Sequence, residues 1–177
     1  MKKIFGLLIL LAIVSISFVI TSCEQKNKNE LDKPLVMKEG LLYKDSTSTV
    51  PYTGRHKSKV LDKVIEYEVK DGIKNGEFIL YFPNGKIEMK GNIVNDKNQG
   101  EWKYYLPDGT LQTVGFFKDD VPDSIWTWYY QSGKVFEVGI FDKGVRKGEW
   151  KTFDENGTLR VSRIFENGAI KDSTVFN

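Results

Sequence analysis

The chain has 177 residues, a formal charge of +2, one cysteine and one histidine. One cysteine allows no internal disulfide, and one histidine gives a zinc site or a histidine-based triad little to draw on. Lys2 and Lys3 fall in a segment expected to be removed; 26 basic residues minus these 2 leaves 24, against 24 acidic ones. That balance gives no electrostatic case for nucleic acid or an anionic surface.

The first expected element is an export signal, residues 1–22. Lys2 and Lys3 precede an uncharged, mostly apolar run from Ile4 to Ile20. At about 17 residues, interrupted by Ser15 and Ser17, the run is at the lower limit for spanning a bilayer. The sequence Ile20-Thr21-Ser22-Cys23 that ends it resembles the lipobox of bacterial lipoproteins. The resemblance implies cleavage before Cys23, lipidation of its thiol, and a bacterial envelope protein held on a membrane, facing the periplasm or the cell surface. An ordinary thiol is the alternative, but a lone unpaired thiol is awkward in an exported chain. Residues 23–38 begin polar and charged without periodicity, which predicts a solvated tether.

Residues 39–75 read as a degenerate cap repeat. GLLYKDSTSTVPYTG (40–54) looks like an opening strand pair, and VIEYEVKDGIKN (64–75) matches the second half of the unit that follows. His56 lies in RHKSK, a locally basic stretch expected to be an exposed loop.

Four units then start at Gly76, Gly100, Ser124 and Gly148, each 24 residues after the last. The third residue of each is aromatic (Phe78, Trp102, Trp126, Trp150), as is the sixth (Tyr81, Tyr105, Tyr129, Phe153). The tenth is glycine, the twelfth aliphatic, and the sixteenth is Gly91, Gly115, Gly139 and then Arg163. The eighteenth is Ile93, Phe117, Phe141 or Phe165. PNG, PDG, QSG and ENG mark a three-residue hairpin loop in which glycine follows a type I turn. NDKNQ, DDVPD, KGVRK and NGAIK close the units. Each unit is therefore an expected β-hairpin, and the fold class is all-β: an antiparallel meander forming an elongated, twisted, largely single-layer sheet. Residues 172–177 (DSTVFN) begin a fifth unit and are expected to form a last edge strand.

With an unbroken ladder, position six faces twelve, five faces thirteen and three faces fifteen. The tryptophan column then opposes Val114 and Val138, while the position-eighteen aromatics join the Tyr/Phe column on the other face. Glycine at position sixteen leaves bare backbone on which a neighbouring ring can lie flat. Residues 76–171 carry 17 of the 23 aromatic residues, so aromatics are the main packing material.

These units resemble the MORN-repeat variant proteins, whose repeats read roughly G-x-W-x-x-Y/F-x-x-x-G-x-L. GEWKYYLPDGTL (100–111), GEWKTFDENGTL (148–159) and the linking turns DKGVRKG (142–148) and KDGIKNG (70–76) fit that pattern. The resemblance covers about residues 39–176. It implies scaffolding, protein contacts and sometimes lipid binding. Bacterial relatives are often labelled antitoxin components, a role at odds with an exported, lipid-anchored chain. Unit three departs by reading DSIW, which loses the first glycine and the acid together.

Among candidate sites, Glu77, Glu101 and Glu149 recur at position two as strand-end acids. A catalytic pair would need a partner at fixed distance and a desolvated pocket, so no catalytic residue, metal or cofactor is expected. Lipidation is assigned to Cys23. The candidate binding surface is Trp126, Trp128, Tyr130 and Tyr104, around the cluster SIWTWYY. Trp128 either packs on Phe136, its expected cross-strand partner, or stands exposed as an anchor for a protein or glycan. The expected function is a non-enzymatic, lipid-anchored binding or scaffolding module with an envelope protein partner or self-association. The alternatives are a cell-surface glycan enzyme using Glu101 or Glu149, and a purely structural self-associating repeat protein.

Overall fold

Two kinds of turn punctuate the chain and set its strands. At Asp71-Gly72, Asn95-Asp96, Asp119-Asp120, Lys143-Gly144 and Asn167-Gly168, both residues have positive φ, from 50° to 82°. These are two-residue type I′ turns, whose twist matches that of antiparallel strands. Between them lie the three-residue loops. Phe82 N–H donates to the Lys86 carbonyl and Gly85 N–H to that of Phe82, with Gly85 at φ 80°; the other three units repeat this bonding.

A computed structural model describes residues 31–177. The hydrophobic run, Cys23 and most of the polar segment after it lie outside the described residues. A two-stranded sheet holds β1 (Val36–Lys38) and β2 (Leu41–Tyr43). The main sheet has eleven antiparallel strands in unbroken sequence order. It opens with β3 (Gly54–Val60) and β4 (Lys63–Lys70). The repeats supply β5 (Ile73–Tyr81), β6 (Ile87–Val94), β7 (Lys97–Tyr105), β8 (Leu111–Lys118), β9 (Val121–Tyr129), β10 (Val135–Asp142), β11 (Val145–Phe153) and β12 (Leu159–Glu166). The last strand, β13 (Ala169–Val175), is an edge. At a spacing of ~4.8 Å, eleven strands extend roughly 50 Å.

The expected register fails at one residue per unit. In unit two Tyr105 pairs with Leu111, but Tyr104 pairs with Thr113, and Gln112 is skipped. Glu88, Phe136 and Arg160 are skipped in the same way. One extra residue is a β-bulge, and because side chains alternate, it moves every later residue to the opposite face. Position three therefore opposes sixteen rather than fifteen: Trp102 pairs with Gly115, Trp126 with Gly139. Positions 3, 5, 14, 16 and 18 share one face, here called the indole face. Positions 2, 4, 6, 12, 15 and 17 share the other, the open face. The position-eighteen aromatics join the tryptophans, and Val114 and Val138 do not.

A second irregularity starts each unit. Residues 124–126 together oppose the single Gly115, and 100–102 and 148–150 do the same at Gly91 and Gly139. Position one there takes a left-handed backbone: Gly100 at φ 69°, Gly148 at 66°, and Ser124 at 61°. Two extra residues preserve the face while turning the following indole back over the preceding strand.

The cap differs from its sequence reading in three places. The strand pair expected at 40–54 is instead the β1–β2 hairpin, closed by Glu39-Gly40 and lying outside the main sheet. After it the Asp45 carboxylate accepts the N–H groups of Thr47 and Ser48, which folds that stretch into a turn. Part of the expected tether is structured: Val36–Lys38 is β1, Leu35 packs beside Leu42, Tyr67 and Val69, and Asp32 bonds Lys57. His56 is not in an exposed loop. It is 1% exposed on β3, between the rings of Tyr52 and Tyr67, with Nδ1 3.5 Å from Asp32 Oδ2. GRHKSKV alternates as a strand, sending Arg55, Lys57 and Lys59 to the open face and burying His56 and Ser58 on the other.

Candidate functional site

On the indole face the rings form one continuous ladder. Trp102, Trp126 and Trp150 alternate with Phe117, Phe141 and Phe165 in edge-to-face contacts at centroid distances of 5.1–5.9 Å. Edge-to-face contact sets the positive ring edge against the negative ring face. Each indole also lies over a position-sixteen glycine. A methyl carbon built on Gly91, Gly115 or Gly139 would fall 2.1–2.2 Å from Cδ2 of Trp102, Trp126 or Trp150. The bare glycine further lets the indole N–H reach the next carbonyl. Trp126 Nε1 donates to Phe116 O at 3.1 Å, and Trp150 Nε1 to Ile140 O at 3.2 Å.

Three of the four residues expected to form a binding surface, Tyr104, Trp126 and Trp128, lie against this ladder. Trp126 is buried and stacks against Tyr104 at 6.4 Å. Trp128 sits between Trp126 and Trp150, at 5.8 and 5.6 Å. Phe136, its expected cross-strand partner, is the bulge residue and packs on Tyr130 instead. The Tyr130 hydroxyl donates to Phe153 O at 2.8 Å. The structure thus brings Tyr104, Trp126 and Trp128 together in ring contact, with Trp126 buried and the other two half-buried.

The open face is divided by charge. Over β3–β5, Arg55 pairs with Glu66, Glu68 and Glu77, and Lys57 also reaches Glu66. Burial acts to raise the Glu66 pKa, but hydrogen bonds from Arg55, Tyr81 and Lys57 outweigh it and hold the carboxyl below its usual range. Burial, then the Glu66 hydrogen bond, pushes the Tyr81 phenol up to about 12.

Over β8–β10 the middle of that face loses its charge, with Asp123 remaining beside Phe116. Position two is Ile125 and position four Thr127, where units two and four carry Glu101 with Lys103 and Glu149 with Lys151. Ile125 pairs with Ile140, and Thr127 lies between Val114 and Val138. Ile125 and Ile140 are 54% and 45% exposed. With Phe116 these residues make an apolar band three strands wide. A depression of about 620 Å³, lined by Thr127, Tyr129, Val135, Val138 and Phe153, continues it toward the hairpin loops. Lysine–glutamate pairs border it symmetrically: Lys103–Glu101 at 2.7 Å on β7 and Lys151–Glu149 at 3.0 Å on β11. The departure of unit three from the repeat pattern is what neutralises the centre.

The two acids weighed for glycan chemistry stand four strands apart, roughly 19 Å at ~4.8 Å per strand. A glycosidase pair needs about 5–9.5 Å between carboxyls. Glu149 is exposed, and hydrogen bonds from Lys151 and Ser162 hold it below the usual carboxylate range. It is therefore ionised at neutral pH and unsuited to donate a proton.

Four consecutive segments, residues 74–95, 98–119, 122–143 and 146–171, match the model of the MORN repeat variant family. The chain belongs to the MORN repeat variant family. Each of the first three matched segments runs from just after one type I′ turn into the first residue of the next. The MORN repeat here is thus one hairpin of the meander, with its bulges and its indole–glycine contact. No curated protein matches the chain.

Proposed function

We propose that this chain is a non-enzymatic, lipid-anchored scaffolding module of the bacterial envelope, and that its open face takes the partner. MORN repeats make a repeat-based binding or scaffold module. The observation that carries the finer reading is the apolar band, centred on Ile125 and Ile140, on a sheet whose repeats have no second layer over that face among the described residues. Exposed contiguous apolar surface rimmed by charge is a signature of protein contact. Lipidation of Cys23, after Ile20-Thr21-Ser22, supplies the membrane attachment.

Two experiments test the two halves. Growth with a clickable fatty acid should label the wild-type chain and leave Cys23→Ser unlabelled; equal labelling of both removes the anchor. Crosslinking in cells followed by purification should recover a protein adduct with the wild type and lose it with Ile125→Glu. Retention of the adduct by a folded Ile125→Glu chain excludes the open face.

A further inference from the structure

We propose that a second copy of this chain covers the apolar band, packed face to face and antiparallel about a two-fold axis that runs across the strands. This rests on the open face being the binding face, and it names the occupant. The argument comes from the order of side chains along five neighbouring strands. On β7 and β11, position two is glutamate and position four lysine, two residues apart on the same face. On β9 the same two positions are Ile125 and Thr127. Their neighbours are Phe116 and Val114 on β8, and Ile140 and Val138 on β10.

A two-fold axis placed level with Trp102, Trp126 and Trp150 exchanges positions two and four on every strand. Glu101 of one copy then meets Lys103 of the other, and Glu149 meets Lys151. The apolar residues of β8–β10 meet one another between them. An axis along the strands would instead set Glu101 against Glu149 and Lys103 against Lys151. Only the cross-strand axis makes the surface complementary to itself, as an isologous contact requires. Two like-twisted sheets also pack well in the aligned mode, near −30°.

The area suffices. Five strands at ~4.8 Å and about 28 Å of strand length give roughly 650 Å² per copy, or about 1,300 Å² in all. Specific interfaces start at about 1,000–1,200 Å².

The test uses charge reversal on the full chain, purified in a density-matched detergent and weighed by sedimentation equilibrium. Wild type should be a dimer. Glu101→Lys with Glu149→Lys makes both borders basic, and Lys103→Glu with Lys151→Glu makes both acidic. Each variant alone should associate about tenfold or more weakly than wild type, because like charges would then face each other. Mixed together, the two variants should form a 1:1 dimer. Unchanged tryptophan emission confirms the fold, because the ladder lies on the other face. Dimers that survive both reversals, or monomers that mixing does not pair, overturn the proposal. A monomeric wild type whose open face crosslinks to a different protein overturns self-association alone. A monomeric wild type with no crosslink from that face overturns the binding face as well.

Discussion

Gly115→Ala is the sharpest probe of the ladder. The added carbon would lie 2.1, 2.3 and 2.4 Å from Cδ2, Cε2 and Cε3 of Trp126. Ordinary carbon contact is about 3.5 Å, so the indole would have to lift by roughly 1.4 Å. It has little room to do so. Phe117, Phe141, Tyr104 and Trp128 touch it, and its N–H is held by Phe116 O. Overpacking costs about 1–3 kcal/mol, and stretching the buried hydrogen bond adds about 1. The gain from replacing a strand glycine returns about 0.5–1 kcal/mol, leaving a net loss of about 1–3.5. Urea unfolding followed by tryptophan fluorescence reads this directly. Two controls isolate the cause. Arg163→Ala, in the same column but with Thr174 where the next indole would stand, should change stability by less than about 0.5 kcal/mol. In a Trp126→Val background, Gly115→Ala should become nearly neutral, giving a coupling on the order of 2 kcal/mol. A Gly115→Ala chain as stable as wild type, or a penalty that persists without the indole, would refute the contact.

Other substitutions follow from the same geometry. Ser124 occupies a left-handed backbone that Gly100 and Gly148 occupy in other units, so Ser124→Gly should stabilise the chain by about 0.5–1 kcal/mol in the same urea assay. Trp128→Ala should destabilise by about 3 kcal/mol, since the ring is packed between two indoles; a stable variant would return Trp128 to the list of exposed anchors. Glu66 has a depressed folded pKa, so its contribution is present above the unfolded value of about 4.3 and is lost as pH falls through the folded one. Urea midpoints at pH 7 and pH 3 should therefore differ less in Glu66→Gln than in wild type, with the variant weaker at pH 7.

The repeat period, both turns, the hairpin units and the all-β class could be read from the sequence because glycine, proline and aromatic residues recur in fixed columns. The faces could not, because a bulge leaves no residue type of its own: the skipped position is Glu88, Gln112, Phe136 or Arg160. The true pairing did leave a trace at the ends of the array. Tryptophan at position three comes with glycine eleven residues earlier in three units. Where that earlier residue is Tyr67 or Arg163, position three is Phe78 or Thr174. That covariation is the indole–glycine contact, visible only once the register is known. RHKSK reads as an exposed basic loop because Arg55 and Lys57, beside His56, face the opposite side of the strand. Trp126 and Trp128 stand out in the sequence as aromatics, whereas the apolar band lies in the neutral residues Ile125 and Thr127 interleaved with them. An absence of charge on one face is conspicuous only after the faces are assigned.

Which face meets a partner can be read in cells with a photocrosslinking amino acid placed at Thr127, on the open face, and separately at Val161, on the indole face. Adducts from Thr127, composed of a second copy of the chain, with none from Val161, are expected. Adducts from Val161 alone would mean that the ladder is the contact surface and the apolar band is not.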